Sequence, residues 1–153
     1  MSLRQRPGTP ADYAALLALW ERSVVATHDF LEAADRLFYQ EQIPQYFEQV
    51  SLLLWYDQEG LIGFSGTLAQ ELEMLFLEPT AIGHGYGREI LQWLVNHADI
   101  QRVAVNRQNK RAKDFYLAQG FQIIGESLTD GWGKPYPLLH LQRSCSDSRG
   151  VFL

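Results

Sequence analysis

Glycine stands at positions 83, 85 and 87, with His84 and Tyr86 between them and Arg88 directly after. The run lies between an apolar stretch, Leu75, Phe76 and Leu77, and a segment of helical periodicity. A strand, a glycine-rich turn and a helix in that order make an anion site. The first N–H groups of a helix have no partner inside it, and the aligned peptide dipoles leave that end partly positive. Glycines let a phosphate approach the backbone, and Arg88, read as the residue that opens the helix proper, adds a charge. The same glycines would also suit a turn that only permits close helix packing, and on these residues alone both readings stand.

Two common glycine loops fail here. No Gly-Lys-Ser/Thr follows, so a Walker-type nucleotide loop lacks its lysine and its magnesium hydroxyl. A dinucleotide fold needs an acid at the end of the next strand, where this chain has Val105, Asn106 and Arg107.

A second constellation begins at Asn109, placed to cap a helix on which Ala112, Phe115, Tyr116 and Gln119 share roughly one face. Gly120 is suited to the position after that helix, and Phe121 begins a strand. A capped helix with aromatic core residues would account for most of this. Glu71 and Glu73 fall on the same strand face as Leu75 and Leu77; an acid on an otherwise apolar strand is notable, and exposed strand-edge acids are equally ordinary. His84, His97 and His140 show no metal-ligand spacing with one another or with a nearby acid pair, so no metal is expected. Cys145 is single, which excludes an intrachain disulfide and a multi-cysteine metal site, and it reads as an incidental tail thiol. No serine or cysteine shows an activating partner, so covalent nucleophilic catalysis is not expected.

The elements that must position these residues are legible from local signals. Residues 3–6 read as a short strand. Thr9, Pro10 and Asp12 then mark a helix start, and Tyr13, Leu16, Leu17, Trp20 and Val24 form an apolar face that should end near Ala26 or Thr27. Residues 31–50 form a weaker helical region in which Pro44 predicts two short helices or a kink. Residues 51–56, 61–68 and 71–77 read as strands, the first two joined by a turn at 57–60. A helix over 88–98 presents Ile90, Leu91, Leu94, Val95 and Ala98 on one face. Strand 101–105, helix 109–119 and strands 121–125 and 138–141 complete the order β-α-α-β-β-β-α-β-α-β-β, an α/β (α+β) fold with a mixed sheet and packed helices.

The 153 residues fit one domain, expected over 1–143 with a C-terminal tail over 144–153. A net charge of −5 argues weakly against a nucleic-acid scaffold and suits a cationic acceptor. The N-terminus shows no secretory signal, and no stretch approaches the ~20 apolar residues of a membrane span, so a cytoplasmic protein is the expectation.

Taken together, Leu75 to Pro79, the glycine run from Gly83, and the Asn109, Ala112, Phe115, Tyr116, Gly120, Phe121 pattern closely resemble the GCN5-related N-acetyltransferase (GNAT) family. The resemblance extends over residues 4–143, and the stretches 23–31 and 133–139 look like a small bacterial subgroup of that family. It implies a GNAT-like mixed central sheet flanked by helices, and transfer of an acetyl group from acetyl-CoA to a primary amine by direct attack in a ternary complex. It implies backbone contacts to the cofactor from Leu75, Phe76 and Leu77, and a pyrophosphate site at Gly83, His84, Gly85, Tyr86, Gly87 and Arg88. Asn109 would make a side-chain contact to the cofactor. Tyr116 would donate a proton to the leaving thiolate, and Glu73 matches a position where some members carry a catalytic glutamate. His28, Asp29 and Tyr136 would shape the acceptor pocket. The implied partner is a small-molecule or peptide amine, with no nucleic acid and no membrane, and an isologous homodimer is the prior expectation. The family's loop usually carries Gln or Arg where Ile82 stands, which implies weaker cofactor affinity rather than a different ligand. A non-catalytic acyl-CoA-binding sensor and an interaction domain on the same fold remain as alternatives.

Overall fold

A computed structural model describes residues 3–143, so the tail thiol Cys145 lies outside the described residues. The chain divides into two compact units, Met1–Ile100 and Gln101–Leu153. The element order over both is the one expected from the sequence, with seven strands and four α-helices among the described residues. None of the described helices is long and apolar enough to cross a membrane.

The first unit is built on an antiparallel meander: β1 (Arg4–Pro7), β2 (Ser51–Asp57), β3 (Gly60–Leu68) and β4 (Glu71–Leu77), each paired with the next. The β2–β3 turn is held by Asp57, whose Oδ1 accepts from the N–H groups of Glu59 and Gly60 at 2.8 and 3.1 Å. Ala69 and Gln70 both take positive φ in the β3–β4 turn, the geometry that matches strand twist in a two-residue hairpin. Gly63 on β3 leaves no room for a side chain against β4. A Cβ there would lie 2.6 Å from the backbone oxygen of Phe76. Gly63→Ala is therefore expected to destabilise the fold by about 1–3 kcal/mol, read as a lowered midpoint in urea denaturation; an unchanged midpoint would contradict this packing.

Helix α1 (Tyr13–Thr27) follows a 3-10 turn, Pro10–Asp12, and buries Leu16, Leu19, Trp20 and Val24. The expected start is met through Asp12, whose carboxylate accepts from the backbone N–H and the hydroxyl of Thr9 at 2.9 and 3.2 Å. Helix α2 (Ala33–Phe47) corrects the expectation at Pro44: the region is one helix. Proline removes the bond that its N–H would make to the fourth residue back, but here only three residues remain before the helix ends. The buried stripe Tyr39, Ile43 and Phe47 runs through the break, and Phe47 packs against the rings of Tyr13 and Phe64. Packing of that face outweighs one missing bond. Helix α3 (Tyr86–Ala98) buries Ile90, Leu91 and Leu94, as its periodicity predicts.

The second unit has β5 (Arg102–Asn106), α4 (Lys110–Ala118), β6 (Phe121–Ser127) and β7 (Leu138–Arg143). Strand β7 lies between β5 and β6 and pairs antiparallel with both. Val103, Val105, Leu139 and Leu141 are buried, the alternation expected of strands with one covered face.

Candidate active site

In the first unit, β4 leads through a 3-10 turn, Pro79–Ala81, to the glycine run. Gly83 and Gly85 have φ of 91° and 81°, in the left-handed region that L side chains rarely adopt. A Cβ at either position would meet nothing within 4 Å. These glycines are therefore required by backbone conformation and not by a closely packed neighbour, and the space over the turn is open. Gly85 caps α3, its carbonyl accepting from Glu89 N–H at 3.2 Å, so the helix opens at Tyr86 and not at Arg88 as expected. Gly87 lies in the first turn, where its low helix propensity is tolerated next to the orphan N–H groups.

Side chains around the turn are anchored away from those N–H groups. Tyr86 donates from its hydroxyl to Asp57 Oδ2 at 3.0 Å, which ties the start of α3 to the β2–β3 turn, and its ring stacks with His84 at 5.6 Å. That hydrogen bond raises the Tyr86 pKa, while backbone N–H groups, Glu59 foremost, and Tyr86 hold Asp57 low. Glu89 Oε2 accepts from Leu3 N–H at 2.6 Å. Arg88 is exposed and has no hydrogen-bond or ion-pair partner among the described residues, so its charge is available at the helix start. Ile82, half-buried, ends the 3-10 turn.

Along β4, Leu72 and Met74 are buried and alternate with the half-buried Glu71, Glu73 and Leu75. Glu73 accepts a hydrogen bond from the hydroxyl of Tyr46 on α2. Burial raises the Glu73 pKa, Glu71 raises it further, and the bond from Tyr46 opposes both. Tyr46 is itself pushed up, by burial first and then by its bond to the carboxylate. Sequence reading missed Tyr46; the one signal for it is a tyrosine beside, and outside, the buried stripe of α2.

His28 ends α1, its N–H bonded to Val24 O at 2.7 Å. The Thr27 hydroxyl donates to Ser23 O at 2.8 Å and lies 2.7 Å from His28 Nδ1. Burial lowers the His28 pKa to about 4, with Asp29 opposing, which leaves the ring neutral at pH 7. Asp29 is exposed beside it.

In the second unit, Asn109 caps α4 as expected: its Oδ1 accepts from Ala112 N–H at 3.2 Å. Tyr116 is buried, with 6% exposure, and its ring meets the edges of Phe115 and Phe121 at 5.0 and 5.8 Å. Its hydroxyl has no hydrogen-bond partner among the described residues, and burial raises its pKa, so it remains a protonated donor at pH 7. Tyr136 is buried in the β6–β7 loop, which Asp130 organises by accepting from the N–H groups of Trp132 and Lys134, each at 2.9 Å. His140 Nε2 lies 2.6 Å from the Ser127 hydroxyl, and His97 Nδ1 is 2.9 Å from Trp93 O. Among the described residues no group of three or more His, Cys, Asp or Glu side chains is arranged to hold a metal.

A family model described as an acetyltransferase (GNAT) domain matches residues 48–123. The peptidyl-lysine N-acetyltransferase YjaB of Salmonella typhimurium is 37% identical over 127 residues, spanning 82% of this chain and 88% of that protein. The solution structure of apo YjaB from Escherichia coli matches with a TM-score of 0.84 at 34% identity, over 93% of this chain and 97% of that one. The PaiA N-acetyltransferase of Thermoplasma acidophilum, solved with coenzyme A, shares the fold: TM-score 0.68, 20% identity, 94% and 100% of the two chains.

Proposed function

Because the chain belongs to the GNAT family and is an N-acetyltransferase, we propose that it moves the acetyl group of acetyl-CoA onto the ε-amine of lysine in a peptide or protein. The observation that carries the cofactor reading is the turn before α3. Two left-handed glycines with open space above them precede the unpartnered N–H groups of a 13-residue helix. That arrangement suits the pyrophosphate of coenzyme A, with Gly83, His84, Gly85, Tyr86 and Gly87 offering backbone and Arg88 offering charge in place of the residue that Ile82 lacks.

Leu75, Phe76 and Leu77 are proposed to receive the pantetheine arm along their backbone, where an N–H would polarise the thioester carbonyl. Asn109 is proposed as a side-chain contact. Acetyl-CoA supplies a thioester whose carbonyl carbon accepts the amine. A lysine ammonium has a reference pKa of about 10.4, so a base must first remove its proton. Glu73 is proposed as that base, its pKa lifted by burial toward the operating pH. As the C–N bond forms and the C–S bond breaks, Tyr116 gives its hydroxyl proton to the departing thiolate. The transfer is direct, within a ternary complex. His28, Asp29 and Tyr136 are proposed to wall the acceptor pocket, and the net charge of −5 suits a cationic acceptor. The working unit is proposed as one cytoplasmic acetyltransferase domain over residues 1–143.

The test pairs calorimetric titration of acetyl-CoA, with ATP and NAD as controls, with thiol release on a lysine peptide and on a lysine-free peptide with an open N-terminus. Selective acetyl-CoA binding and release on the lysine peptide alone are expected. Gly85→Val, a β-branched side chain forced to positive φ, should weaken acetyl-CoA binding about tenfold or more. Absence of acetyl-CoA binding, or acetylation of the N-terminal amine alone, would sink the reading.

A further inference from the structure

We propose that Tyr46 is a positioning residue for acetyl transfer: its hydroxyl, donating to Glu73 Oε1, holds the carboxylate that takes the proton from the acceptor amine. This rests on the reading of Glu73 as the base. Glutamate has three side-chain torsions, and a base that samples them freely is seldom in reach of the proton it must abstract. A bond from α2 to one oxygen fixes the carboxylate while leaving the other oxygen to accept the proton. Tyr46 is suited to this because burial and the carboxylate keep its own proton in place across the working pH range.

Two groups act on Glu73, one on its own strand and one on α2. Glu71, two residues back on β4, pushes a proton onto Glu73, and Tyr46 on α2 opposes it. Helix α1, which also packs on β4, carries Tyr13, Glu21 and Arg22. Of these, Arg22 pairs with Glu78, Glu21 accepts from Gln40 at 3.5 Å, and the Tyr13 ring packs on Phe47. Strand β3 has no titratable residue. Tyr46 is thus the group that favours the ionised carboxylate against burial and a like charge.

Tyr46→Phe and Glu73→Gln are compared with the wild type for kcat and KM across pH on the lysine peptide, and the Glu73 carboxyl is titrated by NMR in the wild type and in Tyr46→Phe. Tyr46→Phe is expected to lower kcat about tenfold with KM for acetyl-CoA unchanged. It should also move the acidic limb of the rate profile, and the Glu73 titration, to higher pH, because the lost bond favoured the charged form. If Glu73→Gln is crippled while Tyr46→Phe keeps wild-type kcat, limb and titration, the positioning role is wrong and the base reading stands. If Glu73→Gln keeps wild-type activity, the base reading falls and the role of Tyr46 falls with it.

Discussion

Tyr116→Phe is expected to lower kcat by about 100-fold while KM for acetyl-CoA and the melting temperature stay close to wild type. The two halves of that expectation come from different features of the same side chain. Its ring fills core space between Phe115 and Phe121, and phenylalanine keeps that packing. Its hydroxyl bonds to no described residue, so its removal leaves no orphaned partner and no stability loss of the kind that follows from breaking a buried pair. What the variant lacks is the proton that the thiolate needs as the C–S bond breaks. Thiol-release kinetics and a thermal melt on one preparation check both halves. A Tyr116→Phe protein with wild-type kcat would leave Tyr116 as a core residue only.

Glu73→Gln is expected to lower kcat by about 100- to 1,000-fold at neutral pH and to remove the acidic limb of the rate profile. In the wild type that limb should lie above the ordinary glutamate range, because burial raises the Glu73 pKa. Stability should move the other way. For a carboxyl whose folded pKa exceeds its unfolded value, the folded state keeps the proton longer, so stability is lost as pH rises from the unfolded pKa through the folded one. Wherever Glu73 is ionised, the wild type carries that penalty. The glutamine variant does not, and it should melt no lower than wild type at pH 7. A variant that loses activity and melting temperature together would point to a structural role for Glu73.

The two predictions draw on residues of different legibility. Tyr116 was legible from sequence only through the family resemblance: the Asn109 cap, the helix and Gly120 mark a capped helix with aromatic core residues, and the resemblance alone singled out this tyrosine. Glu73 was half legible. Strand alternation puts an acid on its face, but nothing nearby in sequence says whether that acid is solvated or held. Its partner Tyr46 lies 27 residues away on another element, and the Tyr86–Asp57 bond that anchors the start of α3 spans 29. Neither pairing leaves a trace in composition or periodicity.

The same division runs through the fold. By itself the sequence determined the element order, the glycine-rich turn before α3, the capped helix α4 and the apolar faces of α1 and α3. Those depend on hydrogen bonds and sterics within about four residues. Only the tertiary structure decided that α2 continues through Pro44, that α3 opens at Tyr86, and that Glu73 is bonded and half-buried. At Pro44 and at Glu73 a local preference met a packing or hydrogen-bond partner distant in the chain. At Pro44 the apolar face of α2 overrides one missing backbone bond; at Glu73 the placement of α2 decides the environment of a charge.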